Sequence, residues 1–424
     1  MEHAISGTSL PREAKLDSAD YGWIVMSIGM AIGAGIVFLP IQVGVSGLWV
    51  FLLSSVIGYP AMYLFQKLFI NTLAEAKECN DYTSVLTSYL GKNWGALIGA
   101  LYFVMLIIWV FVYSLAVTND SASYLQTYHI TAAKLSDNSW YGLVLISALA
   151  FIATIGKRIL FKLSGTLAVT VLALVALMGI LLVPQWSTSH LPPVGDIGSL
   201  IKNAIITLPF TITSILFIQS LSPMVIFYRS QEKSVEVARF KALRAMKISF
   251  SVLFVVVFFY AVSFTLAISQ AEALHAKTEN ISALAIIAYY FPGSWATMAG
   301  IVINIFAVVT SFFGVFLGIQ EASKGIAMNL IKRFVASDRI NEKWVSNGVI
   351  AFIILLAWGA IASHFPILSF TSISSPIFGL VGCLIPAYLV YRVPMLAKYR
   401  SPSTIIIIVT GILLVISPLL TFIK

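Results

Sequence analysis

The chain has 424 residues, of which 59% are hydrophobic and only 10% charged, and its mean hydropathy is +0.95. No water-soluble fold of this length has the interior to hide so much apolar surface, which excludes a soluble enzyme and makes lipid the solvent. The formal net charge of +9 must therefore be read from where the charges sit, and their placement argues against a nucleic-acid partner.

About 20 apolar residues cross a bilayer as a helix. After a polar tail, 1–21, the apolar runs predict eleven spans, near 22–45, 48–72, 95–118, 140–155, 163–184, 202–228, 248–269, 296–320, 345–362, 368–391 and 403–423. No Arg-rich leader with a small-residue cleavage site precedes the first span, so it reads as retained. With the amino end in the cytoplasm, alternate loops collect the basic residues, and only Lys134, Lys202, Lys277 and Lys424 of the 26 fall on the other side. This asymmetry follows the positive-inside rule and places the carboxyl end outside. The basic side faces anionic lipid.

The first span contains "GMAIGAGIVFLP", residues 29–40, which gathers Gly29, Gly33, Gly35 and Pro40 in one short run. Inside a helix glycine costs about 1 kcal/mol against alanine and proline about 3 kcal/mol, so the run predicts an opening of the backbone around Ile32, Gly33, Ala34 and Gly35. Amide groups freed there, together with the positive end of the half-helix that follows, suit a carboxylate. The plainer alternative is close helix packing at the glycines. Pro60 in the second span reads as a kink. In the third span Tyr113 and Ser114 either line a path or pack, and Asp120 reads as a solvated residue at the span's outer end. Lys162 opens the fifth span, where it either snorkels beside Lys157 and Arg158 or acts as a fixed cation in place of a bound sodium.

The sixth span, "NAIITLPFTITSILFIQSLSPMVIFYRS", is also interrupted, with Pro209, Gln219, Ser220, Ser222 and Pro223 among apolar residues. Pro223 has no N–H to donate and crowds the carbonyl of Gln219. Carbonyls and hydroxyls freed there suit an ammonium and a small hydroxyl group. In the eighth span Thr310 and Ser311 either coordinate a small cation or bond to the carbonyl one turn back, Asn304 joins helices, and Glu321 reads as a solvated end. Ser374, Ser375 and Pro376 either gate or kink the tenth span. Cys79 and Cys383 lie at different levels, so they imply no disulfide and no metal cluster.

The loops have a rhythm. Polar stretches 73–94 and 270–295 follow the second and seventh spans, 119–139 and 321–344 follow the third and eighth, and tight links follow the fourth and ninth. Spans one to five (22–184) and six to ten (202–391) thus form two repeats of opposite orientation, with an additional helix at 403–423. Two broken helices in corresponding positions, one suited to a carboxylate and one to an ammonium, describe a carrier for an amino acid. No nucleophile, base and orienter are grouped as catalysis needs, so no enzyme activity, cofactor or metal is expected, nor an obligatory protein partner. A channel would need a continuous polar lining, and a sensor a further domain.

"AIGAGIVFLPIQVG", "YSLAVTNDSASYL", the "SP" of "SLSPMVIFYRS" and "SFFGVFLG" resemble the hydroxy/aromatic amino acid permease family in its serine-transporter branch, over essentially the whole chain. The resemblance implies an all-α membrane protein with a five-plus-five inverted repeat like that of the leucine transporter, helices one and six broken, in a bacterial inner membrane. It implies proton-coupled uptake of serine, threonine, cysteine or D-serine, with a sodium-coupled carrier or an aromatic amino acid permease as the alternatives. It places Ile32, Gly33, Ala34 and Gly35, with Phe217, Gln219, Ser220 and Ser222, at the substrate, and the Ser311 position matches. The chain departs from the branch at "FIQSLSP", where the family pattern is closer to "FSFNHSP", so Ser220 and Leu221 replace an Asn-His pair.

Overall fold

In hydrocarbon each backbone N–H and C=O needs an internal partner, which an apolar segment of this length meets as a helix. The computed structural model describes residues 16–77, 82–155, 157–193, 195–290, 295–331, 334 and 340–422; at some helical positions, among them 33–37, Lys162, Gln219, Asn304, Thr310 and Glu321, the backbone alone is described. The described elements are helices: α1 (Ser18–Ser46), α2 (Leu48–Ala74), α3 (Tyr82–Leu90), α4 (Lys92–Thr127), α5 (Ser139–Ile155), α6 (Lys157–Leu181), α7 (Ile197–Thr213), α8 (Ile218–Gln231), α9 (Val235–Ala267), α10 (Gln270–Thr278), α11 (Ala283–Tyr290), α12 (Trp295–Ile331), α13 (Glu342–Ala362), α14 (Ile367–Phe378), α15 (Ile385–Arg392) and α16 (Ser403–Leu420). A π-helical turn, Gly379–Leu384, joins α14 to α15. Among the described residues seven helical stretches are long and apolar enough to cross a membrane, and α5 and α7 are shorter apolar helices.

Each expected span has its helix, but several helices outrun the apolar stretch that announces them. α4 continues to Thr127, α9 begins at Val235 and α12 reaches Ile331, because polar turns remain helical beyond the hydrocarbon while hydropathy registers only the apolar part. Asp120 is thereby corrected. It is 3% exposed, and its carboxylate accepts from the Ser282 N–H at 2.8 Å, capping the start of α11.

The two halves repeat one order of long and short helices, and α1 runs antiparallel to α7 and α8. The C-terminal Ser46 of α1 accepts from Thr207 of α7 at 3.4 Å, Ser27 lies 2.8 Å from Ser220 of α8, and Asp20 at the start of α1 meets Tyr228 near the end of α8. Among the expected breaks, the one in the first helix is corrected: the backbone of α1 stays helical from Ser18 to Ser46, through Ile32, Gly33, Ala34 and Gly35 and past Pro40. Glycine tolerates helical angles at about 1 kcal/mol each, whereas orphaned peptide groups at that depth cost several, so closing the ladder wins. The break in the sixth span is present, one turn earlier than Pro223 suggests: α7 ends at Thr213 and α8 begins at Ile218.

Two clusters hold the end of the molecule where α1 begins. Asp17 and Asp20 form a reciprocal cap on α1; the fully buried Asp20 carboxylate also accepts from Tyr228 and Arg244, each at 2.5 Å, and Lys241 joins Asp17 at 3.0 Å to Glu232 at 2.6 Å. A backbone hydrogen bond from Asp20, then Lys241, holds the Asp17 carboxyl below its usual range. Glu75, at the end of α2, binds Arg239, Lys398 at 2.8 Å and Tyr399 at 2.5 Å. Burial raises its pKa, but Lys398, Tyr399 and Arg239 together outweigh that and hold it low.

The opposite end is held mainly by uncharged contacts. Asn119 of α4 donates to the Asn280 carbonyl at 3.2 Å, and the Asn280 side chain accepts from the N–H of Ile367, the first residue of α14, at 3.0 Å. Asn280 takes the left-handed angle φ 53°, which asparagine tolerates because its short polar side chain can bond locally. This node ties the α10–α11 lid to α4 and α14. Beneath it a crevice of about 10 Å³, lined by Phe38, Ile41, Asn280 and Ile367 among others, has room for about one water.

Candidate functional site

The site grows from the gap between α7 and α8. Leading into it, "LPFTITSI" carries hydroxyls that compete with the helical ladder. Thr213 Oγ1 donates to the Pro209 and Phe210 carbonyls at 2.7 and 3.3 Å, and Ser214 Oγ to the Thr211 carbonyl at 2.7 Å. Phe217 then turns the chain, with φ −131° and ψ 34°, and no side chain caps α8. The N–H groups of Ile215 and Phe217 find no carbonyl among the described residues, although both residues are 0% exposed. The gap therefore brings a helix carboxyl end and a helix amino end face to face inside the protein, acceptors on one side and donors on the other.

Neighbouring helices brace the gap. Tyr59 of α2 lies 3.3 Å from Ser214 Oγ, and Ser54 lies 2.9 Å from Thr211 Oγ1. Gly58 permits this approach, since a Cβ there would sit 3.1 Å from both Leu208 and Thr211. Tyr59 is in turn held edge-on by Phe254 of α9, with ring centroids 5.1 Å apart.

Of the residues expected at the site, Phe217 is the N-cap of α8 and fully buried. Ser220 is also fully buried, donates to the Phe217 carbonyl at 2.8 Å and sits 2.8 Å from Ser27 Oγ, so its hydroxyl already ties α8 to α1. Ser222 is half-buried in the same helix. Ile32 is 3% exposed within α1, and Tyr113 of α4 is 5% exposed and stacked on Trp109 at 5.6 Å. Ser311 is half-buried in α12. The side chains at Gly33–Gly35, Gln219, Lys162 and Thr310 lie outside the described ones. Ser374 and Ser375 serve packing: they donate to the Thr371 and Leu414 carbonyls at 2.8 and 2.7 Å.

Four residues at or around the site escape a reading of composition. Ser27 and Tyr59 are single polar side chains in apolar runs, and nothing local marks their partners. Asp20 is legible as a capping residue, since "DSAD" places Asp17 and Asp20 three apart, but not as the partner of Arg244. Ser214 had a local signal in the Thr-Ile-Thr-Ser run that ends α7.

No protein-family model matches the chain. It is 62% identical to a serine transporter of Escherichia coli O157:H7 over 415 residues, 97% of this chain and 94% of the relative. The serine transporter SdaC of Escherichia coli K12 is 26% identical over 402 residues, 93% of this chain and 92% of the relative. Among solved structures, MhsT in complex with L-phenylalanine superposes with a TM-score of 0.60 at 15% identity, over 95% of this chain and 97% of that one. A manganese transporter of Eremococcus coleocola superposes with a TM-score of 0.55 at 13% identity, over 95% and 86% of the chains. These likenesses give the fold as that of the leucine-transporter type, and the sequence relatives are transporters rather than enzymes. The chain is a multi-pass membrane protein and belongs to the serine-transporter branch of the hydroxy/aromatic amino acid permease family.

Proposed function

We propose that the protein imports serine, with threonine and cysteine as the next solutes in size, by proton symport, with its amino end in the cytoplasm and its carboxyl end in the periplasm. The observation that carries this reading is the buried gap between Thr213 and Ile218. Its α8 side offers amide donors and a positive helix end to the carboxylate of an amino acid, and its α7 side offers carbonyls and a negative helix end to the ammonium. A zwitterion satisfies both at once, whereas an inorganic ion satisfies one. The names of the sequence relatives favour serine within that class. We assign the main-chain side of the solute to Ile32, Gly33, Ala34 and Gly35 of α1 and to Phe217, Gln219, Ser220 and Ser222 at the start of α8. Lys162, Thr310 and Ser311 are the groups we assign to ion coupling.

α1 reaches from the Asp20 cluster at its start to the crevice at Asn280, which Phe38 and Ile41 line, and fastenings at both ends of the bundle suit a carrier that opens one end at a time. The test is uptake of radiolabelled serine into proteoliposomes. An imposed proton gradient, acid outside, is expected to drive accumulation where a sodium gradient does not. Accumulation driven by sodium alone would overturn the coupling, and sustained single-channel current would overturn the carrier.

A further inference from the structure

α2 meets the end of α7 through two chains of hydroxyls built alike. In the first, Ser54 Oγ lies 2.9 Å from Thr211 Oγ1, and Thr211 donates to the Thr207 carbonyl at 3.3 Å. In the second, Tyr59 Oη lies 3.3 Å from Ser214 Oγ, and Ser214 donates to the Thr211 carbonyl at 2.7 Å. A hydroxyl has one proton to give. Because Thr211 and Ser214 give theirs to carbonyls of α7, the protons that join α2 to α7 come from Ser54 and Tyr59. Both chains therefore run one way, from α2 into the backbone of α7.

The second chain ends at the gap. In an unbroken helix the Thr211 carbonyl would accept from the N–H of Ile215, four residues on. Here the Ser214 hydroxyl competes for that carbonyl, and the Ile215 N–H finds no carbonyl among the described residues although Ile215 is 0% exposed. Left to itself, Ser214 could turn its proton away and give the carbonyl back to the ladder. A Ser214 oxygen that accepts from Tyr59 keeps its own proton on Thr211.

Tyr59 has no freedom to turn away. It is 3% exposed, and Phe254 and Phe258 of α9 meet its ring edge-on with centroids 5.1 and 6.4 Å away. Among the described residues Ser214 Oγ is its hydroxyl's one hydrogen-bond partner.

We infer that Tyr59 is a positioning residue: through Ser214 it keeps the Thr211 carbonyl off the Ile215 N–H, and so holds that amide available to the carboxylate of the carried amino acid. This rests on the carrier site proposed above. Because Tyr59 acts through the backbone of α7, its effect falls on the main-chain half of the solute and is shared by serine and threonine.

The test is serine and threonine binding by Y59F, S214A and the double variant, together with hydrogen exchange across residues 211–217. Y59F keeps the ring between Phe254 and Phe258 and loses only the proton. Affinity for both solutes is expected to fall by one common factor, roughly three- to tenfold, in each single variant. The double variant should be no worse than the singles, since all three cut the same chain. In solute-free Y59F the Ile215 amide should exchange more slowly than in the wild type, because the ladder closes over it, whereas the loss of a mere brace would loosen the turn and speed exchange. Unchanged affinity in Y59F, a loss confined to one solute, losses that multiply in the double variant, or faster exchange at Ile215 would each overturn the inference. If the variants do not insert, the wild type decides: serine should slow exchange of the Ile215 amide, and an unmoved rate would overturn the assignment. Wild-type protein that binds no amino acid would instead sink the carrier reading itself, so the two failures are distinguishable.

Discussion

α1 and the α7–α8 pair are counterparts in the two halves, yet only the second is broken. α1 carries Gly29, Gly33, Gly35 and Pro40 and stays helical throughout; α7 ends without a glycine, at Thr213 and Ser214, whose hydroxyls bond back to carbonyls of their own turn. A residue that only weakens a helix does not open it in lipid, where the alternative is an unpaired peptide group. At the end of α7 the Ser214 hydroxyl takes the Thr211 carbonyl that the Ile215 N–H leaves unbonded, so part of the lost ladder is replaced.

The comparison can be broken most forcefully at its base, where both segments end on Asp20. D20A leaves Arg244 without its buried partner and should cost about 3–5 kcal/mol, read as a lower thermal-aggregation midpoint in detergent; an unchanged midpoint would show that the cluster does not hold α1 to α8. Higher up, the Ser27–Ser220 contact is the direct link between the unbroken and the broken helix. A double-mutant cycle of S27A and S220A on thermal stability should show a coupling of about 0.5–1.5 kcal/mol, and a coupling of zero would remove that link.

G33A asks whether α1 works closed. Alanine should stabilise the helix by about 0.5–1 kcal/mol and, because its added methyl group stands at the surface assigned to the solute, lower serine affinity while transport persists, as measured in proteoliposomes. A more stable protein that no longer transports would mean that α1 opens during the cycle as its counterpart does. The smallest effect is expected at the lid, where Lys134 pairs with Glu279. The Lys134 ammonium holds the Glu279 carboxyl below its usual range, so this pair stabilises the fold above the unfolded-state carboxylate pKa of about 4.3 and the gain is lost as pH falls through the lower folded value. E279Q should therefore flatten the acid side of the stability profile by less than about 1 kcal/mol while leaving neutral pH transport intact.

Much of the scaffold was legible, residue by residue. Long apolar runs fixed the order of the helices, and the polar stretches after spans two and seven marked where α3 and the α10–α11 lid interrupt them. The break in the sixth span was legible as a disturbance, but Pro223 pointed one turn too late, because proline disturbs the helix already under way while the hydroxyls of Thr213 and Ser214 end it. Asp120 was misread for a related reason: hydropathy reports the end of the apolar run, and only the packing of α11 shows that its carboxylate caps another helix.

From the sequence alone came the class of solvent, the number and order of crossings, and the expectation that two opposed segments matter, since these depend on local hydrophobicity and on periods along the chain. Which segment opens, and which side chains brace the opening, depended on partners far away in sequence: Tyr59 on Ser214, Ser27 on Ser220, Arg244 on Asp20. A hydrogen bond across the bundle is worth as much as one within a turn, but its partner is chosen by how the helices pack.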